Sequence, residues 1–364
     1  MMQLILSTCG TSLLMNGRSQ EERKLVNQHT NKKQRSEIDD AAATTLSNII
    51  ADVRAQLSPA SLQEVSRMSA ELNALIKLYD GMAPSNRDHH ILLCTDTWLG
   101  EEAAKLAEEW LQQQECIVSV KRQTDLQTAS LTEFQLALSD LIRWCEEEIQ
   151  QYKQAGYRIV FNLTGGFKSV QGFLQTLAMF YADEVVYIFE SMKELLRIPR
   201  LPIVIDARKT VQENLVTFRR LGKDLVADDT SGIPETMLMS LDDTITLSPW
   251  GQLTWEQMKK EMYAEGILPS PSTRVRYGPG FEKSVQKTSA DRCTDVNQRI
   301  DDLARFLETS DYNINSLDFK PLQGNPKPPS THECDAWADQ DARRIFGHFE
   351  DDVFVLDVLD RGLH

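Results

Sequence analysis

The chain has 364 residues, 41% of them hydrophobic and 26% charged, with a net charge of -15. That length exceeds one ordinary core of about 100 to 200 residues, so two or three domains are expected, and no run of about 18 uncharged apolar residues offers a membrane span. The acidic balance excludes a protein that holds long naked nucleic acid by neutralising phosphates, which requires a surplus of Lys and Arg; any nucleic-acid chemistry needs a small basic site or a partner.

The opening Met-Met-Gln-Leu-Ile-Leu-Ser-Thr-Cys-Gly has no basic segment ahead of a long apolar run and passes directly into a strand and turn, the pattern expected of a cytoplasmic protein. Strands are predicted at Gln3 to Ser7, His90 to Thr95, Cys116 to Val120, Arg158 to Asn162, Glu184 to Phe189 and Pro202 to Asp206. Helices are predicted between them, at Ile38 to Leu57, Ser61 to Tyr79, Gly100 to Gln113, Leu131 to Tyr152 and Ser169 to Tyr181, while the polar Gly17 to Asp39 reads as a loop or frayed helix start. Alternating strands and helices indicate an α/β fold with a doubly wound, Rossmann-like parallel sheet.

After Asp206 the pattern changes to a helix at Lys209 to Leu221, short strands within Met237 to Leu247, and a helix at Thr254 to Ala264. This suits a small winged-helix-like connector over residues 207–272. From Thr273 a strand, two helices and closing strands predict a compact C-terminal α+β domain over residues 273–364, with a loop at Gly324-Asn-Pro-Lys-Pro-Pro-Ser. The six cysteines show no CxxC spacing and read as buried thiols, and no residue pattern calls for a metal or a cofactor.

Strand one ends in Ser7-Thr8-Cys9-Gly10-Thr11-Ser12-Leu13-Leu14, a turn of small residues at the edge where parallel sheets bind ligands. The fourth predicted strand runs into Asn162-Leu163-Thr164-Gly165-Gly166-Phe167-Lys168-Ser169. Paired glycines let backbone amides approach a phosphate, Lys168 can neutralise an oxyanion, and Asn162 and Thr164 add polar groups for a ribose or base. Thr95-Asp96-Thr97 ends another strand and is expected on the same rim. Tight helix packing is the plain alternative for either glycine turn. The spacing fits neither GxxxxGK[ST] nor GxGxxG, which disfavours ATP hydrolysis and dinucleotide binding.

These two motifs resemble the CARF sensor domains of type III CRISPR ancillary proteins, over about residues 1–206. The resemblance implies a homodimer whose two-fold axis passes through a pocket for a cyclic oligoadenylate, with Gly10, Thr11, Ser12, Thr164, Gly165, Gly166 and Lys168 as the ligand set. Some relatives cleave their activator slowly through a ribose 2′-hydroxyl; binding without cleavage stands beside that reading.

The C-terminal stretch resembles RelE and ParE toxins in its order of elements, with an opening Arg274-Val-Arg-Tyr and a closing hairpin from Ala342-Arg343-Arg344-Ile345-Phe346 to a late Arg361. The resemblance implies cleavage by the RNA's own 2′-hydroxyl without metal, with Arg343 and Arg361 on the scissile phosphate and Arg344, Lys320 and Lys327 as further cations. His332, His348 and His364 titrate near neutral pH and are candidates for acid or base. The pattern departs from the family at His332-Glu333-Cys334-Asp335, where relatives carry lysines, and in lacking a terminal tyrosine. This stretch is itself acidic, with 12 Lys/Arg against 17 Asp/Glu.

A sensor, a connector and a RelE-like domain together resemble the CRISPR-associated mRNA interferases. That implies allosteric activation by cyclic tetra-adenylate and cleavage of mRNA in the ribosomal A site, the ribosome presenting the message. A CARF-driven, winged-helix transcription factor is the rival. Its recognition helix would be Thr254 to Ala264, where Lys259 and Lys260 are offset by Glu256 and Glu261, with Glu265 just beyond.

Overall fold

A computed structural model describes every residue except 1, 128–129, 167, 189–193, 242, 311–312, 325 and 363–364, and only the backbone of 168 and 169. The chain divides into two compact units, Met1–Val204 and Ile205–His364.

The first unit runs β1 (Gln3–Thr8), α1 (Ser12–Met15), α2 (Gln20–His29), α3 (Asp40–Leu57), α4 (Leu62–Met68), α5 (Ala70–Leu78), β2 (His89–Cys94), α6 (Trp98–Gln113) and β3 (Ile117–Arg122). It continues through α7 (Leu131–Trp144), α8 (Gln150–Gln154), β4 (Arg158–Asn162), α9 (Lys168–Tyr181), β5 (Glu184–Tyr187) and β6 (Leu196–Pro199). Among the described residues the strands form one sheet in the order β3-β2-β1-β4-β5-β6, parallel apart from the antiparallel edge strand β6. The inner strands read as continuous apolar runs because helices cover both faces. Leu4, Ile5 and Leu6 of β1 are fully buried. Helix α3 turns Ala43, Leu46, Ile50, Val53 and Leu57 inward at helical spacing, and Asp39 caps it by accepting the Ala42 N–H.

Several expectations need correction. Pro202 to Asp206 forms no strand; the sixth strand is Leu196–Pro199, paired antiparallel with β5. Proline lacks the N–H that a ladder requires, and Leu201, Ile203 and Val204 are exposed rather than packed. The segment read as a loop or frayed helix start holds a full helix, α2, started by a reciprocal cap in which Ser19 and Glu22 satisfy each other's backbone N–H. The helix predicted over Ser61 to Tyr79 breaks at Ser69, whose hydroxyl caps α5 by accepting from Leu72 N–H at 3.1 Å. That over Leu131 to Tyr152 passes through a π-helical turn at Cys145–Ile149.

The second unit comprises α10 (Arg208–Glu213), α11 (Leu215–Leu221), β7 (Leu238–Leu241), β8 (Thr244–Leu247), α12 (Pro249–Ala264), β9 (Val275–Tyr277), α13 (Pro279–Val285), α14 (Ala290–Thr309), β10 (Lys320–Pro321), β11 (His332–Trp337), β12 (Arg343–Glu350) and β13 (Val353–Arg361). The predicted helix Lys209 to Leu221 is thus two, parted at Asn214. β7 and β8 form a hairpin, and a mixed sheet runs β10-β11-β12-β13-β9, with β9 parallel to β13. Helix α14 covers this sheet with Val296, Ile300, Leu303 and Leu307. Helices α11 and α12 are fixed to α14 by polar contacts. The Arg219 guanidinium bonds Asp301 at 2.7 Å, Tyr263 also reaches Asp301, and Arg220 grips Glu308 through two bonds of 2.8 and 2.9 Å.

All six cysteines are buried free thiols, as their spacing suggested. No helix among the described residues is long and apolar enough to cross a membrane.

Candidate functional site

The strand order reverses between β1 and β4, whose following elements lead to β2 on one side and β5 on the other; such a switch point opens a crevice at the carboxyl ends of both strands. The two glycine turns meet there. A Cβ on Gly10 would lie 3.1 Å from Gly166 N and 3.2 Å from its Cα, and Gly166 holds a φ of +91° that favours glycine. Thr8 Oγ1 donates to Gly165 O at 2.5 Å, and the α9 side chain Gln171 donates to Leu163 O and Gly165 O at 3.0 and 3.2 Å, so the second turn is clamped from both sides.

Of the predicted ligand set, Gly10, Thr11, Ser12, Thr164 and Gly166 are partly exposed around this crevice, and Gly165 is buried beneath it. Lys168 opens α9, with its side chain outside the described structure. Asn162 faces inward rather than toward a ligand. It is fully buried, its Nδ2 donates to Ser7 Oγ at 3.2 Å and Glu71 O at 3.1 Å, and its Oδ1 accepts from Thr164 N–H. Thr164 Oγ1 accepts from Ile188 N–H at 3.2 Å. On β2's end, Thr97 caps α6 and Asp96 binds Arg122 at 2.8 Å, so this rim is also internally bonded.

Glu71 was not foreseen. Its carboxylate lies against the strand-one turn, accepting from Gly10 N–H at 2.7 Å, Ser12 Oγ at 2.5 Å and Ser69 Oγ at 2.8 Å, at 2% exposure. An internal anion therefore occupies the amide that the sequence offered to a phosphate. Burial, and next the Glu71 charge, push the Cys9 thiol well above its ordinary range, which makes it inert as a nucleophile at neutral pH.

In the second unit, Arg343 and Arg361 stand directly opposite each other across β12 and β13. Both approach Asp341, Arg343 at 3.3 Å and Arg361 at 3.5 Å, and Arg361 is 76% exposed. Arg344 turns to the other face of the strand and is held by Glu333, Asp318 and Asp335 at 2.7, 2.9 and 2.8 Å, while Lys320 binds Asp318 at 2.6 Å. These two belong to a neutralised cluster. His332 stacks flat on Phe319, with ring centres 5.2 Å apart, and burial lowers its pKa. His348 is different. Its Nδ1 lies 2.9 Å from Asp357, which also accepts from Ser330 Oγ at 2.7 Å, and the Asp357 hydrogen bond raises the imidazole pKa. Lys327 binds Asp360 at 2.6 Å, and His364 lies outside the described residues. Among the described residues the predicted cations fall into two groups: Arg343 and Arg361 stand together with Lys327, which shares Asp360 with Arg343, while Arg344 and Lys320 share Asp318. His348 lies five residues along β12 from Arg343, about 17 Å of strand.

Residues 66–201 match the model of a family described as CRISPR-associated protein (Cas_APE2256). No curated protein matches the chain. The matched segment runs from within α4 through β6 and contains Glu71 and the β4 turn, but neither the β1 turn nor any of the second unit. The sequence signal for Glu71 was a carboxylate two residues beyond a Ser cap in a largely apolar helix, Ala70 to Leu78. Its partners are set by the fold.

Proposed function

We propose that the chain is a cyclic-oligoadenylate-activated endoribonuclease of type III CRISPR defence, acting as a homodimer on ribosome-bound mRNA, with cyclic tetra-adenylate as activator. The observation that carries this reading is the convergence of two glycine turns at the switch point of a parallel sheet, within a unit whose residues 66–201 match a CRISPR-associated family. A ring with two-fold symmetry suits two copies of one such crevice.

The second unit supplies the chemistry. An RNA 2′-hydroxyl gives up its proton and attacks the adjacent phosphorus, the P–O5′ bond breaks, the departing 5′-oxygen takes up a proton, and a 2′,3′-cyclic phosphate forms. Arg343 and Arg361, on facing strands, hold the charge that builds on the phosphoryl oxygens. Arg361 is exposed and Arg343 half-buried, and their contacts of 3.3 to 3.7 Å to Asp341 and Asp360 leave them able to exchange a carboxylate for a phosphate.

The transcription-factor reading has less support. Helix α12, the recognition candidate, buries Leu253, Thr254, Trp255, Glu256, Met258, Met262 and Tyr263, and its Lys259 is paired with Glu256 at 2.6 Å, so most of the helix is turned into the second unit rather than toward a groove.

The test adds cyclic oligoadenylates of different ring size to pure protein with either translating ribosomes or naked mRNA. Cleavage only with cyclic tetra-adenylate and ribosomes, giving 2′,3′-cyclic phosphate ends, is expected. Equal cleavage of naked mRNA, or products with 5′-phosphates, overturns the mechanism, and no cleavage with any ring overturns the reading.

A further inference from the structure

Beside Arg343 lies a concave pocket of about 300 Å³, lined by Lys287 and Ser289 from the turn between α13 and α14, Arg292 of α14, Trp337 at the end of β11, and Asp341. We infer that this pocket seats one nucleotide of a single-stranded RNA, with Trp337 contacting the base and Lys287 together with Arg343 the phosphate. The inference rests on the reading that the second unit acts on RNA, and it adds Lys287 and Trp337, which nothing in the sequence pattern singled out.

The charges in the pocket are unequal in their availability. Arg292 is committed: it binds Asp295 at 3.1 Å, reaches Asp339, and lies 4.7 Å over the Trp337 ring. The Arg343 contacts, 3.3 Å to Asp341 and 3.7 Å to Asp360, are long for an ion pair. Lys287 is exposed and has no ion-pair partner among the described residues. An anion entering here therefore meets one free cation and one loosely held, whereas Arg344 and Lys320 are each met by carboxylates within 3 Å.

A bare anion site would not need an indole. Trp337 Nε1 donates to Asp341 O at 2.7 Å, and the Arg292 guanidinium covers the ring, so the indole is fixed in the pocket wall before any ligand arrives. A fixed aromatic wall beside free positive charge and hydroxyls is the combination that single-stranded nucleic acid uses, because every base has a face to stack and every nucleotide carries a phosphate. The volume sits at the lower end of small-ligand pockets, about 300 to 1,000 Å³, which suits one nucleotide rather than a duplex. This placement also suits an acidic unit that handles RNA, since the pocket gathers Lys287, Arg292 and Arg343 at the ends of β11 and β12.

The test uses the full chain and a short single-stranded RNA carrying 4-thiouridine. Photo-crosslinking followed by mass spectrometry is expected to place an adduct on the peptide containing Trp337. In anisotropy titrations Trp337→Ala and Lys287→Ala are each expected to weaken binding by about ten- to hundredfold, and Trp337→Phe to retain most of it. Lys287 is exposed, so its variant tests the site even if Trp337→Ala does not fold. Adducts confined to other peptides, with unchanged affinity in Lys287→Ala, overturn the inference. If Lys287→Ala cuts ribosome-bound mRNA at the wild-type rate, the pocket is wrong and the nuclease reading stands. If the wild type crosslinks at Trp337 yet cuts nothing under any cyclic oligoadenylate, the pocket stands and the nuclease reading falls.

Discussion

Replacing Glu71 with alanine removes the acceptor for three donors at once: the Gly10 N–H, the Ser12 hydroxyl and the Ser69 hydroxyl. The hydroxyls can re-aim, and each already accepts a second bond, Ser12 from Ala70 N–H and Ser69 from Leu72 N–H. The Gly10 N–H cannot. Deleting hydrogen bonds to a charged group costs about 1.5 to 3 kcal/mol each, so with partial rescue of the hydroxyls a loss of about 3 to 5 kcal/mol is expected in the first unit. Glu71→Gln keeps the shape and one acceptor oxygen, and should cost about 1 to 2 kcal/mol. Because the chain has two units, global melting would blur the result. Hydrogen exchange resolved on peptides covering β1 and its turn is cleaner. At about 1.4 kcal/mol per tenfold, a 3 kcal/mol loss accelerates exchange of the most protected β1 amides roughly a hundredfold. Less than a fivefold change in Glu71→Ala would refute the claim that this carboxylate holds the strand-one turn in place.

Gly165→Ala should lower the stability of the first unit by about 1 to 3 kcal/mol, since the new methyl would sit 2.2 Å from Glu71 Oε1, whereas Gly172→Ala, in open space on α9, should be neutral or stabilising; comparison of the two melting curves decides it. His90 is buried without a hydrogen-bond partner, and burial lowers its pKa from 6.5 to about 4. The unfolded chain therefore takes up the proton first, so this contribution is complete above pH 6.5 and about 3 kcal/mol of it is lost as pH falls to about 4. His90→Leu should flatten that part of the pH profile, and parallel profiles for the two proteins would contradict it. Arg343→Ala and Arg361→Ala should each slow mRNA cleavage by about a hundred- to a thousandfold while calorimetry finds activator binding intact; a variant that binds and cuts normally would show the active site lies elsewhere.

The parallel sheet was legible because its inner strands are unbroken apolar runs alternating with amphipathic helices. β6 was not. It has four residues, exposed on an edge, while the more apolar Leu201 to Val204 nearby offered a false strand. Helix α2 was read only as a loop or frayed helix start because it buries Val26 alone and is mostly polar, although its Ser19 and Glu22 spacing was a start signal. The meeting of the Gly10 and Gly165 turns followed from the sheet topology that the pattern implied. Glu71 lies 61 residues from Gly10, and no local rule connects them. The same holds for Arg344, whose adjacency to Arg343 suggested a shared role until strand alternation and three carboxylates separated them.

The borders of the six-stranded sheet bear on whether another strand can add to it. On one side the last strand ends at Pro199, which has no N–H to give, with Arg197 in the strand and Arg200 and Pro202 just beyond. On the other, β3 closes on Lys121 and Arg122. Charge and proline at a sheet border discourage another backbone from zipping on, the route by which exposed strands seed fibrils. Self-association of this unit by strand addition is therefore disfavoured at both ends. Exchanging Pro199 and Pro202 for valine would remove that guard, leaving a chain more prone to seed fibrils when concentrated.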